Sequence, residues 1–461
     1  MPIALTVAAT VIVAFTMRQQ DLDRSLIVAV EKRSGSAVSA VLRSGADANT
    51  RKSTSPPQSP MQILSDLFHG RLRPHVSGSE SALAIAVREN DTDIVRSLLN
   101  SGATGVNDRA IVTEPYSDPV PVPLLFASIR NDNLLTAELL LSKGAKVNAR
   151  DGNDAGLMYY LERCIDEVRY ADNGETHNRR QAELVLDFVK LLAGHGAEFG
   201  GDTDGECLLA YAADANLEPV ANYLLGRGAK QSETQAALAG AVENDNVRLV
   251  RKLLSSGASV RGANADGSSL IVIVQSAEMA RFLLRLGANV AGRQTRGKYQ
   301  GFTGLHYAAT NGNLALIRVL ISNGADVNAT VDGTTPLTRA ATYAGVPTLE
   351  LLMAHGAKVD VTGSRAWTAL MCAAEEGLDL NVDCLLQHGA NPNACDSDGY
   401  TPLMLAAQNG NDAAVQDLLE SGARVNASNK AGETALDLTD SNKPVTRLLK
   451  QWGGRPGKTV H

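Results

Sequence analysis

The chain has 461 residues, more than one compact hydrophobic core holds, so it forms either several domains or an extended stack. Hydrophobic residues make up 44% of the chain and charged residues 20%, a composition that excludes a largely disordered protein. The net charge of −7 leaves no overall basic excess, which argues against a nucleic-acid-binding protein.

The chain begins with an apolar segment, residues 1–17, which carries no charged side chain before Arg18. Such a segment lies at the short limit for crossing a bilayer, and no basic side chain precedes it as in a secretory signal. Two interpretations stay open: a signal or membrane anchor, and a segment that packs against the first repeat as a cap. The apolarity favours an exported or membrane-anchored protein over a cytoplasmic one, with membrane contact only through residues 1–17.

A Leu-Leu-like pair followed by Gly-Ala recurs along the rest of the chain. The glycines of these pairs are Gly45, Gly102, Gly144, Gly196, Gly228, Gly257, Gly287, Gly324, Gly356, Gly389 and Gly422. Their spacing is 29 to 37 residues from Gly196 onward and 42 to 57 residues before it. A period of about 33 residues is the pattern of a repeat protein, and the longer early spacings indicate insertions.

The unit at residues 399–427 shows how one repeat is built. Thr401 is placed to cap a helix, and Pro402 occupies its first position, where no backbone donor is needed. Val415 and Leu418 lie on one face of a second helix, and Gly422 supplies the left-handed conformation that ends it. One such unit cannot bury its own apolar face, so neighbouring units must stack as a solenoid.

Residues 301–329 and 399–427 resemble the ankyrin repeat almost residue by residue, and GTTPLTRAA, AWTALMCAA and GETALDL repeat its start signal. The resemblance covers residues 20–452. It implies an all-α ankyrin-repeat solenoid of about eleven helix-turn-helix units with short hairpin loops and a C-terminal cap. We expect degenerate repeats with insertions at 18–300, well-matched repeats and the cap at 301–452, and a basic tail at 453–461.

Three insertions interrupt the early part of the array. The Ser- and Pro-rich residues 50–79 predict a flexible loop, and the Pro-rich residues 113–123 predict an extended segment. The charged residues 163–182 predict a lengthened connection between two helices. In repeat proteins such insertions lie in loops and often on the binding side.

A fourth insertion, GRQTRGKYQG at residues 292–301, matches the phosphate-loop spacing G-x-x-x-x-G-K. Tyr299 stands where that motif needs Ser or Thr, and the preceding residues form the end of a repeat helix rather than a strand. The stretch therefore predicts an enlarged loop between repeats. Its basic residues Arg293, Arg296 and Lys298, with Tyr299, suit a mobile contact loop for an acidic partner, and a plain solvated loop is the alternative.

The resemblance implies a concave binding groove made of hairpin tips and the exposed side of each first helix. The hairpin positions are Phe302, Thr334, Trp367 and Tyr400; the first-helix positions are Thr310, Asn311, Thr342, Tyr343, Glu375, Glu376, Gln408 and Asn409. Exposed aromatic residues are enriched at binding hot spots, so we predict that these positions contact a partner. The alternative is that each aromatic ring packs flat on its neighbouring hairpin.

The sequence offers no catalytic residue, metal site or cofactor site. Glu375 and Glu376 have no histidine or cysteine arranged beside them, and the five cysteines form no C-x-x-C pair. The resemblance assigns structural hydrogen bonds to His306. His195, His355 and His388 precede Gly-Ala pairs, where a ring N–H suits the last carbonyls of a helix.

These observations predict a non-catalytic scaffold that binds another protein through the concave groove. The alternative is a regulatory or inhibitory subunit that occludes a separate enzyme.

Overall fold

A computed structural model describes residues 2–53, 58–68, 78–112, 119–170, 175–200, 207–262, 268–362, 366–439 and 443–457. The described chain is mostly helical and divides into two compact units, Met1–Leu224 and Leu225–His461. The candidate groove residues all belong to the second unit.

The first unit contains short helix pairs and two small antiparallel sheets. Its helices are α1 (Pro2–Glu31), α2 (Gly35–Arg43), α3 (Pro60–Phe68), α4 (Ala82–Arg88), α5 (Thr92–Asn100), α6 (Leu124–Arg130), α7 (Leu134–Ser142), α8 (Leu157–Tyr170), α9 (Glu175–Gly194) and α10 (Leu208–Asp214), with α11 (Glu218–Gly226) at the boundary. Its strands are β1 (Arg51–Ser53), β2 (Gly78–Ser81), β3 (Arg109–Val112) and β4 (Val120–Pro123). Strand β1 pairs with β2, and β3 pairs with β4.

The early insertions contain more regular structure than the sequence indicated. The insertion at 50–79 contains β1, α3 and the first residues of β2, so its described parts are not the flexible loop predicted there. Residues 120–123 are extended as predicted, because they pair with β3, while 113–118 lie outside the described residues. The charged insertion lengthens α8 and α9 themselves, because it supplies the end of α8 and the start of α9.

Helix α1 contains the apolar N-terminal segment and continues to Glu31 without a break. Leu26 and Val30, near its end, are buried where α1 packs against α2, α3 and α4. Val11 is 62% exposed and Phe15 is 68% exposed, so the contact with the first repeat is made by the later part of the helix. Among the described residues, the helices fall short of the length and apolarity that a membrane span requires.

The second unit is a run of stacked helix pairs. Its helices are α12 (Gln231–Glu243), α13 (Val247–Ser255), α14 (Ala277–Arg285), α15 (Gly304–Thr310), α16 (Leu314–Ser322), α17 (Pro336–Tyr343), α18 (Val346–Ala354), α19 (Ala369–Glu376), α20 (Asp379–Gln387), α21 (Pro402–Gln408), α22 (Asp412–Glu420) and α23 (Lys443–Gln451). A 3-10 helix at Leu270–Val272 takes the place of a first helix before α14. The last repeat has a turn at 435–438 in place of its first helix, and α23 follows that turn.

Small residues let neighbouring first helices approach closely. The first helices α15, α17, α19 and α21 pack in sequence, and the second helices α14, α16, α18, α20 and α22 pack in a parallel row. The Ala-Ala pairs of the first helices are at most 1% exposed: Ala308, Ala309, Ala340, Ala341, Ala373, Ala374, Ala406 and Ala407. This packing confirms a helical repeat stack within the unit.

The helix-ending glycines behave as the sequence predicts. All eleven glycines of the Gly-Ala pairs have a positive φ, between 82° and 105°. Other residues avoid this left-handed conformation, which explains why glycine recurs there at each repeat.

The predicted threonine caps also form, which leads to a first prediction. The Thr401 side chain accepts a hydrogen bond from Met404 N at 3.3 Å, and Pro402 occupies the first helical position. We expect Thr401→Ala to lower the free energy of unfolding by about 1 kcal/mol, because one helix donor loses its acceptor. Hydrogen exchange of α21 measures the change. Thr401→Ser keeps the hydroxyl and should lose much less; equal losses would contradict the capping role.

Candidate functional site

The hairpin positions of the groove are less exposed than predicted. The prediction that Phe302 is exposed is wrong, since it is only 7% exposed. Its ring stacks on His306, with 4.7 Å between ring centroids, and Tyr299 covers it at 5.2 Å. The insertion at 292–301 supplies that cover, so the aromatic residue contacts its own chain here.

Asp396 connects two of the predicted hairpin residues. Trp367 Nε1 donates to Asp396 Oδ2 at 3.2 Å, and Tyr400 N donates to Asp396 Oδ1 at 2.8 Å. Trp367, Tyr400 and Thr334 are all half-buried. The indole of Trp367 is thus hydrogen-bonded to the next hairpin, and part of its surface stays accessible.

The first-helix positions form a more open surface. Asn311, Tyr343, Glu375, Glu376, Gln408 and Asn409 are exposed, and Thr310 and Thr342 are half-buried. Asn409 Nδ2 donates to the Glu375 carbonyl at 2.7 Å and so joins two adjacent first helices. Tyr343 is 58% exposed, which makes it the most open aromatic side chain of the predicted set.

Arg339 lies at the centre of this surface and was missed by the sequence analysis. Its guanidinium carbon is 4.2 Å from the ring centroid of Tyr343, 5.4 Å from that of Tyr299 and 5.5 Å from that of Phe302. Its Nε donates to Thr310 Oγ1 at 3.0 Å. We call Tyr299, Phe302, Arg339 and Tyr343 the arginine–aromatic cluster. Residues four positions apart on a helix are neighbours, so the spacing of Arg339 and Tyr343 could have predicted the contact between them.

The insertion at 292–301 is held in place by backbone hydrogen bonds. Gln294 N donates to Phe302 O at 2.9 Å, and Gly301 N donates to Gln294 O at 2.7 Å. Arg293 closes the loop by donating to the Gly301 carbonyl at 2.8 Å, whereas Arg296 and Lys298 are exposed. These hydrogen bonds close the loop, which presents Tyr299 to the cluster and two cations to solvent.

Burial shifts the pKa values of three titratable groups near the groove. Burial lowers the pKa of His306 to about 4, so its ring is neutral at pH 7. Burial raises the pKa of the Cys372 thiol to about 11, which keeps it protonated and a poor nucleophile. Partial burial, and then the neighbouring Glu376, raise the pKa of Glu375. What this surface offers a ligand is stacking, hydrogen bonding and charge.

The histidines take the roles that the sequence predicted. His306 Nδ1 lies 3.2 Å from Thr303 N, and its Nε2 lies 3.3 Å from the Thr334 carbonyl in the next hairpin. The ring thus caps α15 and joins it to the following repeat. In the other three, Nδ1 lies 2.8 to 2.9 Å from the carbonyl one turn earlier: His195, His355 and His388.

Comparison with known proteins identifies the repeat. A family model of three ankyrin repeats matches residues 238–331, 270–363 and 337–429, and a single ankyrin-repeat model matches residues 122–152. The chain is an ankyrin-repeat protein. Over 102 residues, 22% of the chain, it is 34% identical to ankyrin repeat and SOCS box protein 3 of Bos taurus. The matched part is 19% of that relative, so this chain corresponds to about a fifth of its length.

The ankyrin-repeat matches contain the surface described above. The arginine–aromatic cluster, from Tyr299 to Tyr343, lies inside the region matched by the three-repeat model. The degenerate early part also contains a matched repeat, formed by α6 and α7. Ankyrin repeats are generally non-catalytic modules for protein–protein interaction, and the exposed first-helix surface is consistent with that role.

Proposed function

We propose that the chain is a non-catalytic scaffold that binds another protein through the ankyrin groove of residues 301–427. The observation that carries the proposal is the arginine–aromatic cluster, in which Arg339 contacts three aromatic rings beside the exposed first-helix residues. Arginine and tyrosine are among the residues most enriched at binding hot spots.

Contacts within the chain already orient the side chain of Arg339. Arg339 is fixed by the ring of Tyr343 and by its hydrogen bond to Thr310, so its side chain loses little freedom on binding. A partner that covers the exposed ring of Tyr343 would bury apolar area at small entropic cost. This combination favours a binding role over a purely structural one.

The charges beside the cluster favour an acidic partner segment. Arg296 and Lys298 are exposed on the insertion next to Tyr299. Farther along the groove, Glu375 and Glu376 are exposed without a salt bridge among the described residues. A partner with acidic residues at the insertion and basic or neutral residues at α19 fits this pattern. Any contact with a membrane is assigned to residues 1–17, where Val11 and Phe15 are exposed.

Tyr343→Ala tests the proposal, because this ring is exposed and its removal leaves the core intact. We expect the full chain to capture a partner from native extract and the variant to bind it about tenfold to a hundredfold more weakly. Titration calorimetry with the captured partner measures the change. Arg339→Lys should also weaken binding, since lysine lacks the planar group that stacks on the rings.

Tyr170→Ala is the matched control, because Tyr170 is a tyrosine of the first unit and is 74% exposed. It should leave binding unchanged. Equal affinity of the parent chain and Tyr343→Ala would exclude the groove as the binding site. If the captured partner is an enzyme and its activity falls on binding, the chain acts as an inhibitory subunit rather than as a scaffold.

A further inference from the structure

The second unit has an uneven distribution of charge along its repeats. Residues 225–345 contain thirteen basic and seven acidic side chains, whereas residues 346–439 contain thirteen acidic and four basic ones. The sign of the charge therefore changes between α17 and α18. Ankyrin stacking alone does not require this change, because it needs only the buried small and apolar residues.

The change of sign is sharpest on the outer face of the second helices. In each of six successive second helices, one exposed residue lies two positions before a buried leucine. We call these the outer-face positions, and they are, in stacking order, Arg251, Arg281, Arg318, Glu350, Asp383 and Gln416. The order reads three arginines, two carboxylates and one neutral residue, with the carboxylate of Asp417 next to that last position.

The charged side chains at the outer-face positions are exposed to solvent. Among the described residues, no salt bridge involves Arg281, Arg318 or Glu350. Arg251 lies over the ring of Phe282 at 4.6 Å, which places α13 beside α14. One acid, Glu278, lies in the first turn of α14.

Like charges gather at the acidic end of the same face. Burial first, and then Asp383, Glu420 and Asp379, raise the pKa of Asp417. Burial first, and then Glu350 and Asp383, raise the pKa of the Cys384 thiol. The carboxylate of Asp417 is thus repelled by its acidic neighbours, and a cation placed against this end would relieve that repulsion.

We propose that the outer face of the second helices binds the same face of a second copy of this chain, related by a two-fold axis between α16 and α18. A two-fold axis makes residue i of one copy meet residue j of the other, and j meet i. Arg318 then faces Glu350 of the second copy, Arg281 faces Asp383, and Arg251 faces α22 with its carboxylates. A face whose charge changes sign at its midpoint is complementary to itself only in this antiparallel arrangement.

The centre of the face suits close approach. Ala315 and Pro347, on α16 and α18, are exposed, uncharged and small. Leu380, one turn before Asp383 on α20, is 71% exposed and would lose water contact on pairing. This inference is independent of the groove, since the outer face uses second-helix residues and the groove uses hairpins and first helices.

Charge reversal with complementation tests the pairing on the full chain. Sedimentation velocity at about 50 mM NaCl should show a dimer, and about 500 mM NaCl should weaken it, because salt screens exposed charges. Arg281→Glu with Arg318→Glu, or Glu350→Arg with Asp383→Arg, should each weaken the dimer by about tenfold or more. An equal mixture of the two double variants should restore it, because both halves of the mixed interface are complementary again.

Lys358→Glu with Arg424→Glu is the matched control, because both residues are exposed outside the second helices and the change in net charge equals that of the arginine double variant. It should leave the dimer intact. A parent chain that stays monomeric at about 100 μM and low salt overturns the proposal, because the outer face then does not bind a second copy of the chain. A dimer that survives both reversals, or a mixture that associates no better than its components, overturns it as well.

Discussion

Replacing Gly304 by leucine is expected to lower the free energy of unfolding of the second unit by about 3 to 5 kcal/mol. Gly304 is the first residue of α15, and a β-carbon built there would lie 2.6 Å from the carbonyl oxygen of Ile271. That carbonyl belongs to the backbone of the 3-10 helix Leu270–Val272, so it cannot rotate away as a side chain would. Even Gly304→Ala should cost about 1 to 3 kcal/mol, because the two repeats must separate.

Gly35→Ala is the matched control for this substitution. Gly35 is also the first residue of a helix, α2, but a β-carbon there would meet no atom within 4 Å. That substitution should be neutral or slightly stabilising, since alanine restricts the unfolded chain without a clash. Urea unfolding, with hydrogen exchange of residues 268–322, measures both effects. A Gly304→Leu variant as stable as the parent would show that α15 shifts away from the 3-10 helix at no cost.

The repeat architecture could be predicted from the sequence because the same helix-start and helix-end residues recur in successive repeats. Gly422 and its ten equivalents need a positive φ, and Thr401 and Pro402 need a helix start, whatever lies around them. The sheets could not be predicted in the same way. Strand β2 pairs with β1 across an insertion of more than twenty residues, and no local pattern specifies such a partner.

The groove could be predicted only in part, for a related reason. The first-helix positions follow from the repeat register, and Tyr343 and Asn311 are exposed there. The cluster depends instead on Tyr299, which reaches Arg339 from an insertion that breaks the register. The same insertion buries Phe302, so register alone predicted an exposed side chain where the structure has a covered one. Features formed by insertions can be identified only from the three-dimensional structure, because the repeat register does not specify them.

His306 should make the stability of the second unit fall between about pH 6.5 and pH 4. Its ring is fully buried, and burial lowers its pKa from 6.5 to about 4, with the arginines Arg293 and Arg339 acting in the same direction. Between these two values the unfolded chain binds a proton that the folded chain does not. The free energy of unfolding therefore decreases as the pH falls. The loss at pH 4 relative to pH 7 amounts to about 3 kcal/mol, an order-of-magnitude figure. Above about pH 6.5 the contribution of His306 is constant.

The difference in stability between the parent chain and His306→Gln isolates this effect, because both proteins share all their carboxylates. At pH 7 the variant should be less stable by about 1 kcal/mol, since it loses the contact of Nε2 with the Thr334 carbonyl. Near pH 4.5 the order should reverse, because only the parent has a buried imidazole for which protonation favours unfolding. Urea unfolding at several pH values gives the difference, and an NMR titration of the His306 ring gives its pKa directly. A stability difference that stays constant from pH 7 to 4.5, or a ring that titrates near 6.5, would show that the ring reaches water and that its bond between the two repeats is open in solution.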